Sequence, residues 1–455
     1  MTKLSSGLKS IRLPENFFPI FLPLFIQQFL QTILGSLDVL ILSYRSDLLV
    51  AAAGLANQIL ITSSMFLGIV EIGMTVLLTQ LSEAGEEEKV KKVIKNGILL
   101  SFLFALAINL LVFTLGPQIL DIMQASGELK VAALQYLRIV GASLIFQAFI
   151  GSIGAVYRSF THVKEIMWIS LAVNIINIVG NSLVILTPFP YLGEGIVGVA
   201  WATFLARLIG AFCAIILFPR LFPEQGLSGL LPQVHTEAMG KILGLGLPAG
   251  LEGVFYNVSA TILMGILAYL GANLLSAKIY TETVTGYVFT ISVTVAMVSQ
   301  IIVGKSIGRG EKELAAKEGS NILLIGSSAV VGFMLLIALC SFYWAGLLAN
   351  TEEVRLLTIK LCFWSILLEP LRCVNCCLVS SLNAAGDVRY PVIIGVISNF
   401  LLLMPLCYLF AIILEQGIIG IWLARIIDEG LRAFLFLRRW KKGDWKKIEL
   451  FEKEA

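Results

Sequence analysis

Gly195-Ile196-Val197-Gly198 and Gly417-Ile418-Ile419-Gly420 are near-identical tetrapeptides 222 residues apart in a chain of 455 residues. They close a longer correspondence. At an offset of 225, Pro23 falls on Pro248, Tyr44 on Tyr269, Gly85-Glu86 on Gly310-Glu311 and Asn174 on Asn399. The chain therefore reads as two copies of one unit, and each copy holds six apolar runs long enough to cross a bilayer, for which about 20 residues are needed. Six is even, so both copies enter the membrane in the same sense. Their pseudo-two-fold axis then lies along the membrane normal, an arrangement recurrent among transporters.

The composition agrees with that reading. Hydrophobic residues make up 58% of the chain and charged ones 14%, against about 45–50% and about 25% in soluble domains. The excess runs the whole length, which excludes a soluble enzyme, a nucleic-acid binder and a disulfide scaffold. The expected fold is an all-α polytopic membrane protein with 12 transmembrane helices in two parallel six-helix lobes. The spans include single helices over 131–156, 390–413 and 417–437. An N-terminal lobe occupies 1–217, an inter-lobe loop 218–242, and a C-terminal lobe with a basic tail 243–455. With a cytoplasmic N-terminus, about 23 of the 33 Lys and Arg fall on inside segments, so the positive-inside rule puts both termini in the cytoplasm. The 7 Cys all lie in apolar stretches, where they serve as small packing residues. Gly308-Arg309-Gly310 lacks the form of a Walker loop, so an ion gradient is the expected energy source and no cofactor is required.

Charges inside spans are costly and mark function or pairing. Asp38 lies deep in the first span with no basic residue within a turn. Such a carboxylate can hold a proton, or release it when a cation arrives; the alternative is one tied permanently by hydrogen bonds. Asn177 and Asn181 are i,i+4 in the fifth span and share a face, where they either glue helices or offer oxygens to a small cation. Glu369 and Arg372 are i,i+3, so they form a structural pair or leave Arg372 to hold an anionic or zwitterionic substrate group. Glu252 stands opposite Gln27 in the repeat, and Glu282 is flanked by Thr281 and Thr283; both are candidate cavity residues, with Phe255, Tyr256, Met264 and Phe289 as apolar lining. Glu71 is placed near the interface. In the last span Arg425 with Asp428 or Glu429, and Glu429 with Arg432, have the spacing to neutralise one another locally.

The run Pro23…Gln31-Thr32-Ile33-Leu34-Gly35-Ser36-Leu37-Asp38…Ala51-Ala52-Ala53-Gly54, the loop Gly304-Lys305-Ser306-Ile307-Gly308-Arg309-Gly310-Glu311 and the loop Leu382-Asn383-Ala384-Ala385-Gly386-Asp387-Val388-Arg389-Tyr390-Pro391, in register with the repeat, resemble the multidrug and toxic compound extrusion (MATE) family over about the whole chain. The resemblance implies two lobes around a central cleft, exporting organic cations and drug-like molecules in exchange for H+ or Na+ from the cytoplasmic (inner) membrane. The expected partners are small-molecule substrates and membrane lipids, not nucleic acid; the chain is not expected to be an enzyme, and nothing in the sequence demands more than a monomer. By position, the coupling-cation roles fall on Asp38, Asn177, Asn181 and Thr203; another branch of the family uses acids in the C-terminal lobe, where Glu252, Glu282 and Glu369 lie in suitable helices without a position-by-position match, and the candidate substrate cavity is Glu252, Tyr256, Glu282, Glu369 and Arg372. One departure is Asn181, where some members of the family have Asp, which leaves Asp38 as the lone acid of the first lobe. Rival readings are a flippase or exporter of an anionic or lipid-linked substrate, which calls for a more cationic cleft in which only Arg372 stands out, and an intramembrane enzyme, for which no catalytic pair is well placed.

Overall fold

A computed structural model of the chain describes residues 13–43, 46–186, 195–224, 228, 234–349 and 351–450, and among these there is no strand. The described residues form two compact units, one within Ile26–Gly250, the other within Leu251–Ala455 and Met1–Phe25.

The first unit takes most of α1 (Phe17–Ser43), then α2 (Asp47–Ala84), α3 (Glu87–Ile122), α4 (Gly127–Ala142), α5 (Leu144–Ser159), α6 (Val163–Leu186), α7 (Gly195–Leu221) and the start of α8 (Thr236–Leu270). The second takes the rest of α8, α9 (Ala272–Gly308), α10 (Lys312–Leu348), α11 (Glu352–Ala384), a rod over 389–413, and α14 (Gly417–Lys442). That rod is α12 (Arg389–Ile397) and α13 (Met404–Tyr408), each followed by a π-helical segment, Ser398–Leu403 and Leu409–Ile413. Two described helix starts are capped by a side chain: Ser46 accepts from the Leu48 N–H at 3.1 Å and Thr351 from the Val354 N–H at 3.4 Å, each satisfying a donor that the first turn cannot.

Nine described helices are long and apolar enough to cross a membrane, ten if α4 and α5 count as one bent span. The single helix expected over 131–156 is corrected by this bend. It turns 40° at Ser143, whose N–H and hydroxyl both donate to Val140 O, at 3.1 and 2.6 Å; an i−3 pattern of this kind tightens and ends a helix. The expected helix over 390–413 likewise contains two π turns. Large apolar side chains lie on the outside, among them Leu110 at 65%, Leu339 at 63% and Leu401 at 73% exposure. Surfaces like these are a liability in water and suit a hydrocarbon solvent, so the chain is a multi-pass helical membrane protein.

The repeat is visible in the backbone itself. Gly85 (φ 75°) and Gly310 (φ 80°) end their helices in the same left-handed conformation, and Gly195 (φ 57°) and Gly417 (φ 54°) begin theirs in it. Only glycine adopts this region without strain. Within the first unit, α2 and the start of α8 cross backbone to backbone: a Cβ on Gly73 would collide with Ile242 O, and one on Gly246 with Ile69 O. Small residues at a helix crossing permit this close van der Waals contact where no hydrophobic force acts between helices.

Candidate functional site

In the first unit, α6 and α7 bring three of the expected residues together. Asn177 Nδ2 donates to Thr203 Oγ1 at 2.8 Å, and Asn181 Nδ2 donates to Asn177 Oδ1 at 3.2 Å. Thr203 in turn donates to the Val199 carbonyl at 3.1 Å. Asn181 is buried at 2% exposure. The helical spacing of the two amides makes this chain possible, since i,i+4 side chains stand one above the other. Asp38 lies within α1, whose backbone is helical there, but its side chain lies outside the described residues. A hydrogen bond joins α1 to α6: Gln27 Nε2 donates to Ser170 Oγ at 2.9 Å.

Two further charges of this unit have partners that sequence spacing could not supply. Glu71 meets Arg158 at 3.5 Å and packs over Gly151, so it points into the protein rather than only reaching an interface. Arg207, absent from the sequence-based candidates, donates from Nη1 to Ser143 Oγ at 2.8 Å, at the α4–α5 bend. An arginine amid the apolar run of α7 was a signal available in the sequence.

The second unit holds a cavity of about 260 Å3. Tyr256, Glu282 and Arg372 of the expected set line it. Glu369 does not line it but lies behind Arg372, accepting from Nη1 at 2.9 and 3.1 Å. Glu252 neither lines the cavity nor accepts a described hydrogen bond, and packs instead against Gly395. Arg372 also lies 4.0 Å from the centroid of Phe289, a cation–π distance, and its Nη2 is 3.4 Å from the Tyr256 hydroxyl. Of the expected apolar lining, Phe289 and Tyr256 face the cavity, joined by Leu263, Leu403 and Ile421, whereas Phe255 packs edge-on against Phe400 at 6.1 Å and Met264 does not line it.

The expectation for α14 needs correction. Arg425 does not pair with Asp428 or Glu429 but reaches Glu282 on α9 at 2.9 Å. Glu282 also takes Lys278 at 2.5 Å, so one carboxylate serves two cations. Arg432 is the residue held between Asp428 at 2.7 Å and Glu429 at 2.8 Å. Asn375 adds a 2.5 Å hydrogen bond to Glu429 Oε2, and the Ser398 hydroxyl bonds Asp428. The cavity wall therefore carries Lys278, Arg372, Arg425 and Arg432, not Arg372 alone. Spacing misled because helix neighbours at i,i+3 and i,i+4 compete with a partner 143 residues away that only the fold brings near.

Three polar groups on the same wall lack a described partner: Asn399 Oδ1, Ser259 Oγ and Arg432 Nε are buried without a hydrogen bond. Asn399 sits in the first π segment, a geometry often found at functional sites. Among the described residues no group of three or more His, Cys, Asp or Glu is arranged to hold a metal. Cys373 and Cys377 are buried within α11 and Cys376 is partly so.

The MatE family model matches residues 23–183 and again 248–409. The two matches begin 225 residues apart, the offset of the internal repeat. The chain is 31% identical over 412 residues to an uncharacterized transporter, YisQ, of Bacillus subtilis (strain 168), covering 90% of each chain. It is 22% identical over 430 residues to the probable multidrug resistance protein NorM of Thermotoga maritima, covering 93% of this chain and 91% of that one. Among solved structures it is similar to an outward-facing multidrug resistance MATE family transporter of the MOP superfamily, with a TM-score of 0.85 at 19% identity over 95% of this chain and 97% of that one. It is also similar to a MOP superfamily transporter from Pyrococcus furiosus whose binding pocket is described as of reverse polarity, suggesting a different function, with a TM-score of 0.84 at 17% identity over 96% and 100% of the two chains.

Proposed function

This chain belongs to the MatE family of membrane transporters, and from that premise we propose that it is a secondary antiporter exporting amphipathic organic cations and drug-like molecules in exchange for H+ or Na+. The observation that carries the coupling half is one of register. Spans one and five of an alternating series run in the same sense, and Gln27 meets Ser170 at 2.9 Å. Eleven residues on, at about 1.5 Å per residue and about three whole turns, come Asp38 in α1 and Asn181 in α6. That spacing supports an ion site formed by Asp38 with Asn177, Asn181 and Thr203. The amides and hydroxyl supply neutral oxygens, and the carboxylate supplies the charge that a proton or Na+ neutralises.

The cycle needs only differential affinity. An ion that binds the outward-facing state better lets substrate leave there, and its loss inside resets the cycle. Substrate then occupies the cavity lined by Tyr256, Glu282 and Arg372, with Glu369 holding Arg372 from behind, and the multidrug resistance proteins among the relatives support drug-like molecules. We read α1 and α14 as spans too, giving 12 in lobes 1–217 and 243–455 with both termini cytoplasmic, in a monomer of the inner membrane that needs no cofactor. A second reading, export of an anionic substrate, is favoured by the four cationic side chains on the cavity wall and by the relative with reversed pocket polarity.

The test is efflux of a fluorescent organic cation from liposomes holding purified protein, with a pH gradient and a Na+ gradient imposed separately. Efflux driven by one gradient and not the other is the expected result and identifies the ion. Folded protein that moves the cation under neither gradient would overturn the reading.

A further inference from the structure

The cavity of the second unit is polar in a directed way. Along α14, Arg425 and Glu429 are separated by about 6 Å of helix rise, and the charges sort by level. Around Arg425 the ion pairs join Lys278 and Arg425 to the one carboxylate of Glu282, two cations to one acid, while Arg372 beside them is matched by Glu369. At the Glu429 level stand Asp428 and Glu429 against the single guanidinium of Arg432: two acids to one cation. Glu252 packs against Gly395 and lies off the cavity wall, so it is counted in neither end. Each end thus keeps one formal charge that its own ion pairs do not cancel, and the two residues of charge have opposite sign.

Charges this deeply buried are stabilised only by a partner. A molecule bearing a single charge satisfies one end and leaves the other, whereas a molecule bearing both satisfies the pair. The unpartnered Asn399 Oδ1 and Ser259 Oγ on the same wall accept hydrogen bonds from an ammonium group, and the Phe289 ring beneath Arg372 offers a face to an apolar body. We propose that this cavity binds zwitterions, with an oxyanion of the ligand at the Lys278–Arg425–Arg372 end, an ammonium at the Asp428–Glu429 end and a compact apolar body between. This rests on reading the chain as an exporter of small molecules, and it assigns the class of molecule that this cavity takes.

The test uses three probes on one scaffold: 4-(aminomethyl)benzoic acid, a zwitterion at neutral pH; its methyl ester, a cation; and its N-acetyl derivative, an anion. Binding is measured by calorimetry on the purified full-length protein in detergent. The zwitterion is expected to bind about tenfold or more tightly than either relative, the difference that one charge-assisted hydrogen bond makes. Arg425→Gln should bring the zwitterion down to the ester, and Asp428→Asn should bring it down to the N-acetyl acid. Lys278→Gln repeats the first comparison should Arg425→Gln fail to fold, and Asn399→Leu the second should Asp428→Asn fail. Ester binding equal to the zwitterion, or binding of none of the three by folded protein, would overturn the proposal. Failure here with gradient-driven efflux of the cationic dye intact overturns the zwitterion site alone. Zwitterion binding without any gradient-driven efflux overturns the antiport reading alone.

Discussion

Glu369 and Arg372 show what a single buried ion pair does in this protein. Glu369 is 1% exposed and accepts both of its described bonds from Arg372 Nη1. Removing one member strands the other, which costs about 3–5 kcal/mol, whereas replacing both with apolar residues of similar volume is near neutral. Glu369→Gln should therefore lower the thermal midpoint in detergent by many degrees, and Glu369→Leu with Arg372→Met should recover most of it. A double variant as unstable as the single one would mean that Glu369 holds more than Arg372. If the double variant is stable but no longer transports, the pair serves substrate as well as structure. At this scale the sequence was informative about which residues mattered and less so about their partners. An intramembrane charge stands out against apolar neighbours, so Glu282, Glu369 and Arg372 were visible. The partner of Arg425 was not, because a helix offers Asp428 and Glu429 at plausible spacing while Glu282 lies on another helix. Asn399 was visible as one end of a repeat pair, but its place in a π segment was not, since one extra residue in a turn leaves no compositional mark.

At the scale of elements, two features carry predictions. The α2–α8 crossing is set by Gly73 and Gly246, where an added Cβ meets backbone carbonyl oxygen and no side chain can move aside. Gly246→Val should force the helices apart and reduce the yield of folded monomer on gel filtration, while Gly244→Ala, where a Cβ meets open space, should leave it unchanged; an unaffected Gly246→Val would contradict the crossing. The second feature is the tail after α14. Gly443 (φ 74°) reverses the chain, Trp445 stacks on Trp440 at 4.5 Å, Arg439 bonds Asp387 at 2.8 Å, and Lys446 meets Glu313 at 2.7 Å. A hydrogen bond from Lys442 holds the Asp444 carboxyl below the usual aspartate range, and the hydrogen bond to Asp387 raises Arg439 above its ordinary value. The signs agree: the Asp444 contribution is complete above the ordinary aspartate value and is lost as pH falls through its own lower one, and the Arg439 contribution is lost only in strong base. Proteolytic clipping of 443–450 should thus be flat from about pH 5 to pH 9, and a step near neutrality would show that another group fastens the tail. Helix positions were legible because apolar runs of this length have few other readings. The break at Ser143 was not, because a lone serine is common in unbroken spans.

The whole molecule is two copies of one unit, and this was the most legible feature. Repeated glycines at 85 and 310 and at 195 and 417 carry the same backbone conformation, and the family match begins at residues 23 and 248. Topology follows from charge: with single cysteines placed at Lys317 and Asp121 in a cysteine-free background, an impermeant maleimide added to whole cells should label Asp121→Cys and spare Lys317→Cys. The reverse pattern would invert the orientation.

If the acid of the first span couples ion to substrate, Asp38→Asn uncouples the two. Wild type and variant, reconstituted at equal density, are compared for efflux of the fluorescent cation under each imposed gradient. The gradient that drives wild type is expected to drive nothing in Asp38→Asn, while the variant still binds the dye. Gradient-driven efflux that survives in Asp38→Asn would contradict that coupling role and move the coupling ion to the carboxylates of the second unit.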